Sequence, residues 1–194
     1  MKEARPWILK KHYARRMPCV QYAFGLFDSG VLCGVVSYGQ PASPFLCKGV
    51  CGEKYKSMVI ELNRLCVESE NPNGASKLVG RSLSLLPPCI VVSYADTERN
   101  HIGYVYQATN WIYTGCTKER TDMYSESGHS RHNGGDSSKR QCRSAKHRYV
   151  YFVGTRKQKR EMREALRYEV LPYPKGESKR YDASAKVDIQ GTLF

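Results

Sequence analysis

The chain has 194 residues and a formal net charge of +13. That length suits one domain whose hydrophobic core is large enough to fold without disulfides. The charge predicts a polyanionic partner, most often nucleic acid, although a general attraction to polyanions without a defined site is the alternative. No signal peptide or membrane-spanning stretch is visible. We therefore expect no membrane partner and a cytoplasmic protein whose eight cysteines are free thiols.

The first third of the chain predicts a helix, a β-hairpin and a loop. Residues 6–17, PWILKKHYARRM, begin with a proline that suits a first helical turn. Two apolar runs, residues 20–27 and 31–38, flank the hairpin signal Asp-Ser-Gly. Residues 39–56 contain two prolines and three glycines, which predict an irregular loop.

Strand and helix signals alternate between residues 57 and 115. Strand-like apolar runs cover residues 58–67, 89–94 and 112–115, and helix-like spacing covers residues 75–86 and 103–111. This order predicts an α/β unit around a mainly parallel sheet. The turn before the first helix, NPNGAS, offers backbone N–H groups that either bind a phosphate or carboxylate or simply belong to a helix cap.

The segment 116–147 is polar and basic, which predicts an insertion outside the core that is either functional or disordered. Its cations predict contact with nucleic-acid phosphates, and solubility is the alternative reason for them. Seven residues carry this expectation: Lys118, Arg120, Arg131, Lys139, Arg140, Arg143 and Lys146. Beyond it, residues 149–153 predict a strand, 155–167 a basic helix and 172–194 an extended tail.

Polar residues also occur within and after the central strands. Glu61 and Arg64 stand three residues apart in ELNRL, so a regular strand would point them to opposite faces and a direct pair would require a bulge. Asp96 follows a buried strand, and His101 and Tyr106 come soon after it. A carboxylate, an imidazole and a phenol could together bind a metal or relay a proton, whereas Asp96 could also be an ordinary loop-end carboxylate.

The order of elements is similar to the GNAT acyltransferase fold, and particular strings resemble the Mom family of phage DNA-modification proteins. These strings are HYARRMP, FGLFDSGVLCGVVSYG, ELNRLCV, NGASKLVGRSLSLL, VVSYADTERNHIGYVYQATNWIYTG and HRYVYFVG. The resemblance implies an α/β fold with a GNAT-like central mixed sheet flanked by helices, in one domain over residues 1–194. In that fold a long strand splays from its neighbour, and the turn after the strand holds the pyrophosphate of acyl-coenzyme A.

The resemblance further implies an enzyme that converts adenine in double-stranded DNA to N6-carbamoylmethyl (acetamido) adenine, which shields phage DNA from host restriction. It implies iron, and an acyl donor that is acetyl-CoA or another acyl or glycyl carrier. An ordinary acetyl-CoA-dependent N-acetyltransferase and a non-enzymatic DNA-binding anti-restriction protein are the alternatives. The turn NPNGAS keeps one glycine where GNAT enzymes usually have two, which puts tight coenzyme A binding in doubt.

Site roles follow from the same resemblance. It implies that His12, Tyr13, Arg64, Ser76, Asp96 and Tyr106 are catalytic and that His12, Asp96 and Tyr106 hold the iron. It places the acyl carrier at Cys66, Val67, Asn73, Gly74, Ala75 and Ser76. An adenine flipped out of the duplex could stack on Tyr13, Tyr94, Tyr104 or Trp111. We therefore expect His12, Arg64, Asp96 and Tyr106 to converge on one pocket surrounded by positive charge.

Overall fold

A computed structural model describes residues 2–68, 73–124 and 136–176 of the chain. The strands are β1 (Tyr22–Asp28), β2 (Val31–Gly39), β3 (Val59–Val67), β4 (Cys89–Asp96), β5 (Ile112–Cys116), β6 (Arg120–Tyr124), β7 (Asp136–Arg143) and β8 (Lys146–Val153). The helices are α1 (Ala4–Pro6, continued by a π-helical turn over Trp7–Lys11), α2 (Pro44–Cys51), α3 (Gly74–Leu85), α4 (Tyr104–Ala108) and α5 (Arg156–Glu164). Within these ranges, no helix has the length and apolar character needed to cross a membrane.

Six strands form one sheet in the order β1-β2-β3-β4-β8-β5, and β6 pairs with β7 in a separate two-stranded sheet. The pair β3–β4 is parallel, whereas the other pairs are antiparallel. The predicted mixed α/β sheet with flanking helices is therefore confirmed. The expectation of a mainly parallel sheet was wrong, because β8 returns between β4 and β5 and runs antiparallel to both.

Three local expectations also differ from the structure. Residues 39–56 contain α2 and a 3-10 helix, Glu53–Met58, because Pro44 occupies a first helical turn instead of interrupting a loop. The helix expected over residues 6–17 ends at Lys11, since His12 adopts an extended backbone. Polar strands β6 and β7 occupy part of the expected irregular insertion, because ladder hydrogen bonds pair them without an apolar face.

The core lies on both faces of the large sheet. On one face, Leu78 and Val79 of α3 and Trp111 beyond α4 pack against Val91 and Tyr149 of the central strands. On the other face, α2 and α5 cover the half of the sheet nearest the start of β4, and α1 covers β2 and the end of β3.

A bulge in β3 shifts the pairing between β2 and β3. Ser37 pairs with Arg64, yet the next residue of β2, Tyr38, pairs with Leu62. Asn63 is therefore an additional residue in β3, as in a β-bulge, and Asn63 donates a side-chain hydrogen bond to the Cys19 carbonyl at 2.8 Å.

The bulge decides which residues of β3 share a face. Ile60, before the bulge, packs into the core under α3, and Leu65, after the bulge, packs into the same core. The two residues are five positions apart, so a regular strand would place their side chains on opposite faces. Side chains of a regular strand alternate with a period of two. Glu61 and Arg64 therefore share the opposite face of β3, where a regular strand would have separated them.

The parallel strands β3 and β4 diverge towards their carboxyl ends. Their pairing runs from Val59 opposite Ile90 to Glu61 opposite Val92 and stops there, although both strands continue. The Ser93 hydroxyl spans the start of this opening by donating to the Leu62 carbonyl at 2.9 Å. We call this opening the splay; it is the feature that the sequence resemblance implied for the long strand.

Candidate functional site

A layer of aromatic and cationic side chains lies near the splay. The rings of His12 and Tyr13 are stacked with centroids 4.3 Å apart. Tyr13 also meets the ring of His101 edge-on at 6.5 Å, and the Arg99 guanidinium lies 5.0 Å from the Tyr13 centroid. The segment after α1 and the loop after β4 thus jointly build one layer, which we call the stacked layer.

His12 is a buried, neutral imidazole in this layer. Burial lowers its pKa to about 3, and the positive charges of Arg64 and Arg99 act in the same direction. Its Nδ1 accepts a hydrogen bond from the Ala14 N–H at 3.0 Å, so the ring proton resides on Nε2. The Nε2–H group can therefore donate a hydrogen bond to a ligand.

Arg64 fastens the segment after α1 to β3. Its Nε and Nη2 atoms donate to the Arg16 carbonyl at 3.2 and 3.0 Å, and its Nη1 donates to the Asn63 carbonyl at 2.5 Å. These bonds use the planar fork of a guanidinium, which a lysine cannot reproduce. Arg64 therefore helps to set the position of the chain that carries His12 and Tyr13.

Glu61 is a partly buried carboxyl on the same face of β3. Burial raises its pKa to about 6, against the opposing effects of Arg64 and Lys146. A carboxyl with that pKa is largely ionised at neutral pH but is close enough to its titration to exchange a proton. The sequence drew attention to Glu61 but assigned it no role, because the bulge that aligns it with Arg64 could not be foreseen.

Asp96 lies at the end of β4, where it holds the start of β8. The Ser144 hydroxyl donates to its Oδ1 at 2.5 Å, the Glu98 N–H donates to the same oxygen at 3.2 Å, and the Lys146 ammonium pairs with Oδ2. Burial opposes ionisation of this carboxyl, but the hydrogen bonds from Lys146 and Ser144 outweigh it, so the pKa of Asp96 is lowered. Both of its oxygens are thus engaged by the protein.

Tyr106 approaches the splay from the α4 side. Its phenol hydroxyl is hydrogen-bonded to the Ser93 hydroxyl, with the two oxygens 2.7 Å apart, and its ring packs 5.1 Å from both Trp111 and Tyr149. Burial raises the pKa of Tyr106, so its hydroxyl stays protonated at neutral pH. Glu61 lies close enough to influence that pKa, which links the two sides of the splay.

The structure brings most of the expected catalytic residues into one neighbourhood. His12, Tyr13, Arg64 and Tyr106 lie around the splay, and Asp96 is connected to them through its electrostatic interaction with His101. Ser76 is separate: its hydroxyl donates to the Asn73 carbonyl at 3.1 Å and makes no hydrogen bond to this neighbourhood among the described residues. The catalytic roles themselves remain predictions.

The donors expected to bind iron do not fit a metal site as they are arranged. Asp96 is saturated by Lys146 and Ser144, and Tyr106 is a protonated phenol, whereas iron would favour its phenolate. The Nδ1 of His12 is also engaged. Across residues 2–68, 73–124 and 136–176, no group of three or more His, Cys, Asp or Glu side chains has a metal-binding arrangement.

The expected acyl-carrier residues divide into two groups. Asn73 precedes α3 without capping it through its side chain, so first-turn N–H groups of Gly74, Ala75 and Ser76 have no acceptor within the helix. By contrast, Cys66 lies in the core layer under α1, where burial raises the pKa of its thiol to about 11. Val67 ends β3 and packs on the α3 side of the sheet.

The expected DNA-binding cations lie largely on the two-stranded sheet β6–β7, which we call the basic ribbon. Exposed members are Lys118 beside it and Arg120, Lys139 and Arg140 within it. Two of the predicted residues have carboxylate partners instead: Arg143 pairs with Asp122 at 2.9 Å, and Lys146 pairs with Asp96. Arg131 lies outside the described residues.

Arginines connect the basic ribbon to the stacked layer. Burial lowers the pKa of Arg16, and the charge of Arg143 lowers it further, so the base of the ribbon lies near the segment after α1. The Nε atom of Arg16 is buried without a hydrogen-bond partner among the described residues. No carboxylate there pairs with Arg16, Arg64 or Arg99. This surplus of guanidinium groups suits a phosphate ligand.

Comparison with known sequences places these features in a family context. The model of the Mom protein family matches residues 1–141. Methylcarbamoylase mom of Escherichia phage Mu is 34% identical over 119 residues, which cover 58% of this chain and 49% of that protein. The match thus spans about half the length of this relative.

Solved structures with a similar arrangement include acetyltransferases. An N-acetyltransferase from Staphylococcus aureus Mu50 has a TM-score of 0.42 and 14% identity, covering 68% of this chain and 67% of that chain. A putative acetyltransferase from Salmonella typhimurium, solved with acetyl-CoA, also scores 0.42 at 10% identity, covering 69% and 65%. A GNAT-like decarboxylase in complex with isobutyryl-CoA scores 0.41 at 12% identity, covering 69% and 79%.

Proposed function

This chain belongs to the Mom protein family, and we propose on that premise that it modifies adenine in DNA. The product is N6-carbamoylmethyl (acetamido) adenine, and the modification shields phage DNA from restriction in the host cytoplasm. The observation that carries the proposal is the stacked layer of His12, Tyr13 and Arg99 beside a splay that holds the carboxyl of Glu61, whose pKa burial raises to about 6. A nucleobase enzyme needs both an aromatic platform and an acid–base group.

The stacked layer supports recognition of an extruded base. Adenine N6 lies inside the duplex stack, so an enzyme that reacts there must take the base out of the helix. Tyr13 is 40% exposed and is already packed with His12 and Arg99, which offers a purine an aromatic and cationic surface to extend. The Nε2–H of His12 can donate to a ring nitrogen of that purine.

The arginines near this layer support binding of the flanking phosphates. Arg16 and Arg99 have no carboxylate ion pairs among the described residues, and DNA would bring phosphates to them. The basic ribbon adds the exposed cations Arg120 and Arg140. A protein with a net charge of +13 gains affinity for DNA as counterions are released from the phosphates.

The residues at the splay suit a transfer to an amine. In that transfer a bond forms between N6 and the methylene carbon of a donor that already carries the carboxamide, the bond between that carbon and its carrier breaks, N6 loses one proton, and the carrier takes up one proton as it leaves. Glu61 is the proposed base for that proton, and the protonated phenol of Tyr106 is the proposed donor to the leaving carrier. The first-turn N–H groups of α3 are the proposed anchor for phosphates of the carrier that delivers this carbon.

The test is modification of plasmid DNA in cells that express the protein. The DNA is digested to nucleosides, and deoxyadenosine is analysed by mass spectrometry. We expect a carbamoylmethyl-deoxyadenosine in cells with the wild-type protein and none with Glu61→Gln, whereas the exposed α5 variant Glu161→Gln serves as a matched control and retains the product. Unmodified DNA from cells that contain folded wild-type protein would contradict the proposal.

A further inference from the structure

A cysteine, a histidine and a tyrosine form a hydrogen-bonded group at the edge strand β5. The Sγ of Cys116 lies 3.1 Å from Nδ1 of His147, and the hydroxyl of Tyr113 lies 2.9 Å from the same nitrogen. The Cys116 thiol is exposed, whereas Tyr113 is buried. The group is distinct from the proposed DNA site, because its hydrogen bonds among the described residues join Tyr113, Cys116 and His147 to one another and not to Glu61, Tyr106 or the stacked layer.

A second bulge brings these side chains together. Tyr113 pairs with Tyr149 and Cys116 pairs with His147, so two residues of β5 stand opposite one residue of β8. One of the two is Gly115, with a φ of +86° that a glycine adopts without strain. The bulge turns Cys116 onto the same face as Tyr113, where an unbroken strand would have pointed it away from His147.

The arrangement suits activation of the thiol. Burial raises the pKa of Tyr113, so its hydroxyl remains protonated and can donate to the Cys116 Sγ at 3.6 Å, which leaves the Nδ1 lone pair of His147 for the thiol proton. Burial lowers the pKa of His147, so the imidazole is neutral at pH 7 and its Nδ1 lone pair can accept a hydrogen bond from the thiol. A thiol becomes a nucleophile when a neighbouring base removes its proton.

We propose that Cys116 is a reactive thiol that exchanges with small-molecule disulfides, with His147 as its base. The proton of Cys116 passes to Nδ1, and the thiolate attacks one sulfur of the disulfide. A bond forms between Sγ and that sulfur, the original S–S bond breaks, and the departing thiolate recovers the proton. The exchange yields one mixed disulfide and one free thiol and needs no other oxidant.

The chain contains internal controls for a test of this proposal. Cys19 and Cys142 are also exposed, and neither has a histidine within hydrogen-bond distance in the described residues. The folded full-length protein is treated with glutathione disulfide at pH 7, and the occupancy of each cysteine is followed by peptide mass spectrometry. We expect Cys116 to react about tenfold faster than Cys19 and Cys142. Equal rates for the three cysteines would overturn the proposal.

Two variants test whether the reactivity of Cys116 depends on His147 or only on the solvent exposure of its thiol. His147→Gln should lower the rate at Cys116 to that of Cys19 while the rate at Cys142 stays unchanged. Tyr113→Phe retains the base and should keep Cys116 the fastest of the three. An unchanged rate at Cys116 in a folded His147→Gln protein would overturn the role of His147. If that variant fails to fold, the comparison within the wild-type molecule still decides whether Cys116 is activated.

Discussion

Glu61 and Arg64 lie on the same face of β3, three residues apart, because the bulge at Asn63 shifts the alternation of side chains by one residue. Arg64 opposes the effect of burial on the pKa of Glu61, and Glu61 likewise favours the charged form of Arg64. A carboxylate and a guanidinium thereby share one face where β3 separates from β4, close enough to shift each other's pKa without a direct ion pair among the described residues. The predictions for Glu61→Gln and Arg64→Lys concern these two residues.

Glu61→Gln should increase stability while it removes activity. The folded protein raises the pKa of Glu61 to about 6, so the ionised form is disfavoured by folding at pH 7. A neutral amide of the same shape avoids that cost, and we expect the free energy of unfolding to rise by about 1–2 kcal/mol at pH 7. Urea denaturation measures the stability, and nucleoside analysis measures the modification. A variant that modifies DNA at the wild-type rate would exclude Glu61 as the base.

The pH dependence of Glu61 provides a second check on that variant. An acid whose pKa is raised in the folded state gains stability as pH falls from its folded towards its unfolded pKa. The unfolding free energy of the wild type, which is lower than that of Glu61→Gln at pH 7, should therefore approach that of the variant between about pH 6 and pH 4.5. In the same range the proposed base becomes protonated, so activity should fall below about pH 6.

Arg64→Lys should loosen the segment that carries His12 and Tyr13. Lysine has no fork that could replace the paired bonds to the Arg16 carbonyl. We expect a loss of about 2 kcal/mol in unfolding free energy and a roughly 10- to 100-fold loss of modification rate. The control is Arg81→Lys on an exposed face of α3, which should change neither quantity. Equal behaviour of the two variants would show that Arg64 does not position this segment.

The elements of this fold could be predicted from local patterns, but their pairing could not. The apolar runs in β1 to β4 and the leucine spacing of α3 correctly indicated those elements. Strands β6 and β7 were missed because their side chains are polar and only their partner strand reveals them. The mainly parallel sheet was a wrong expectation because the return of β8 between β4 and β5 depends on contacts distant in sequence.

The site shows the same limit at the level of single residues. His12, Arg64 and Tyr106 were found through the resemblance of short strings, and the structure places them around the splay. The bulge at Asn63 was not predictable, because it is defined by the register between β2 and β3. For that reason Glu61 was left without a role, and Asp96 was expected to hold iron although Lys146 and Ser144 engage its oxygens.

His12 should make the protein sensitive to mild acid. A histidine whose pKa is lowered to about 3 by burial binds a proton less readily in the folded state than in the unfolded state. Stability contributed by this residue is therefore present above pH 6.5 and is lost as pH falls towards 3. Between pH 7 and pH 5 the unfolding free energy of the wild type should fall by about 2 kcal/mol more than that of His12→Asn. The amide oxygen of this variant can still accept the hydrogen bond from the Ala14 N–H. Parallel stability curves for the two proteins would show that His12 is not buried as a neutral group.

The basic ribbon should bind DNA phosphates, whereas α5 should not. Lys139→Ala combined with Arg140→Ala removes two exposed cations from the ribbon, and Arg156→Ala combined with Lys157→Ala removes two from α5, which begins beyond the opposite end of β8. We expect the ribbon variant to weaken DNA binding and to reduce the slope of log K against log salt by about two, because each phosphate contact adds roughly one unit.

The comparison of the two double variants separates a defined surface from a general attraction between the +13 chain and DNA. Both lose the same charge, so non-specific attraction predicts the same change in affinity and in salt slope. A defined surface predicts that the α5 variant keeps the wild-type slope. Binding is measured by fluorescence anisotropy with labelled duplex DNA over a range of salt concentrations, and equal slopes for the two variants would place the DNA contacts elsewhere on the protein.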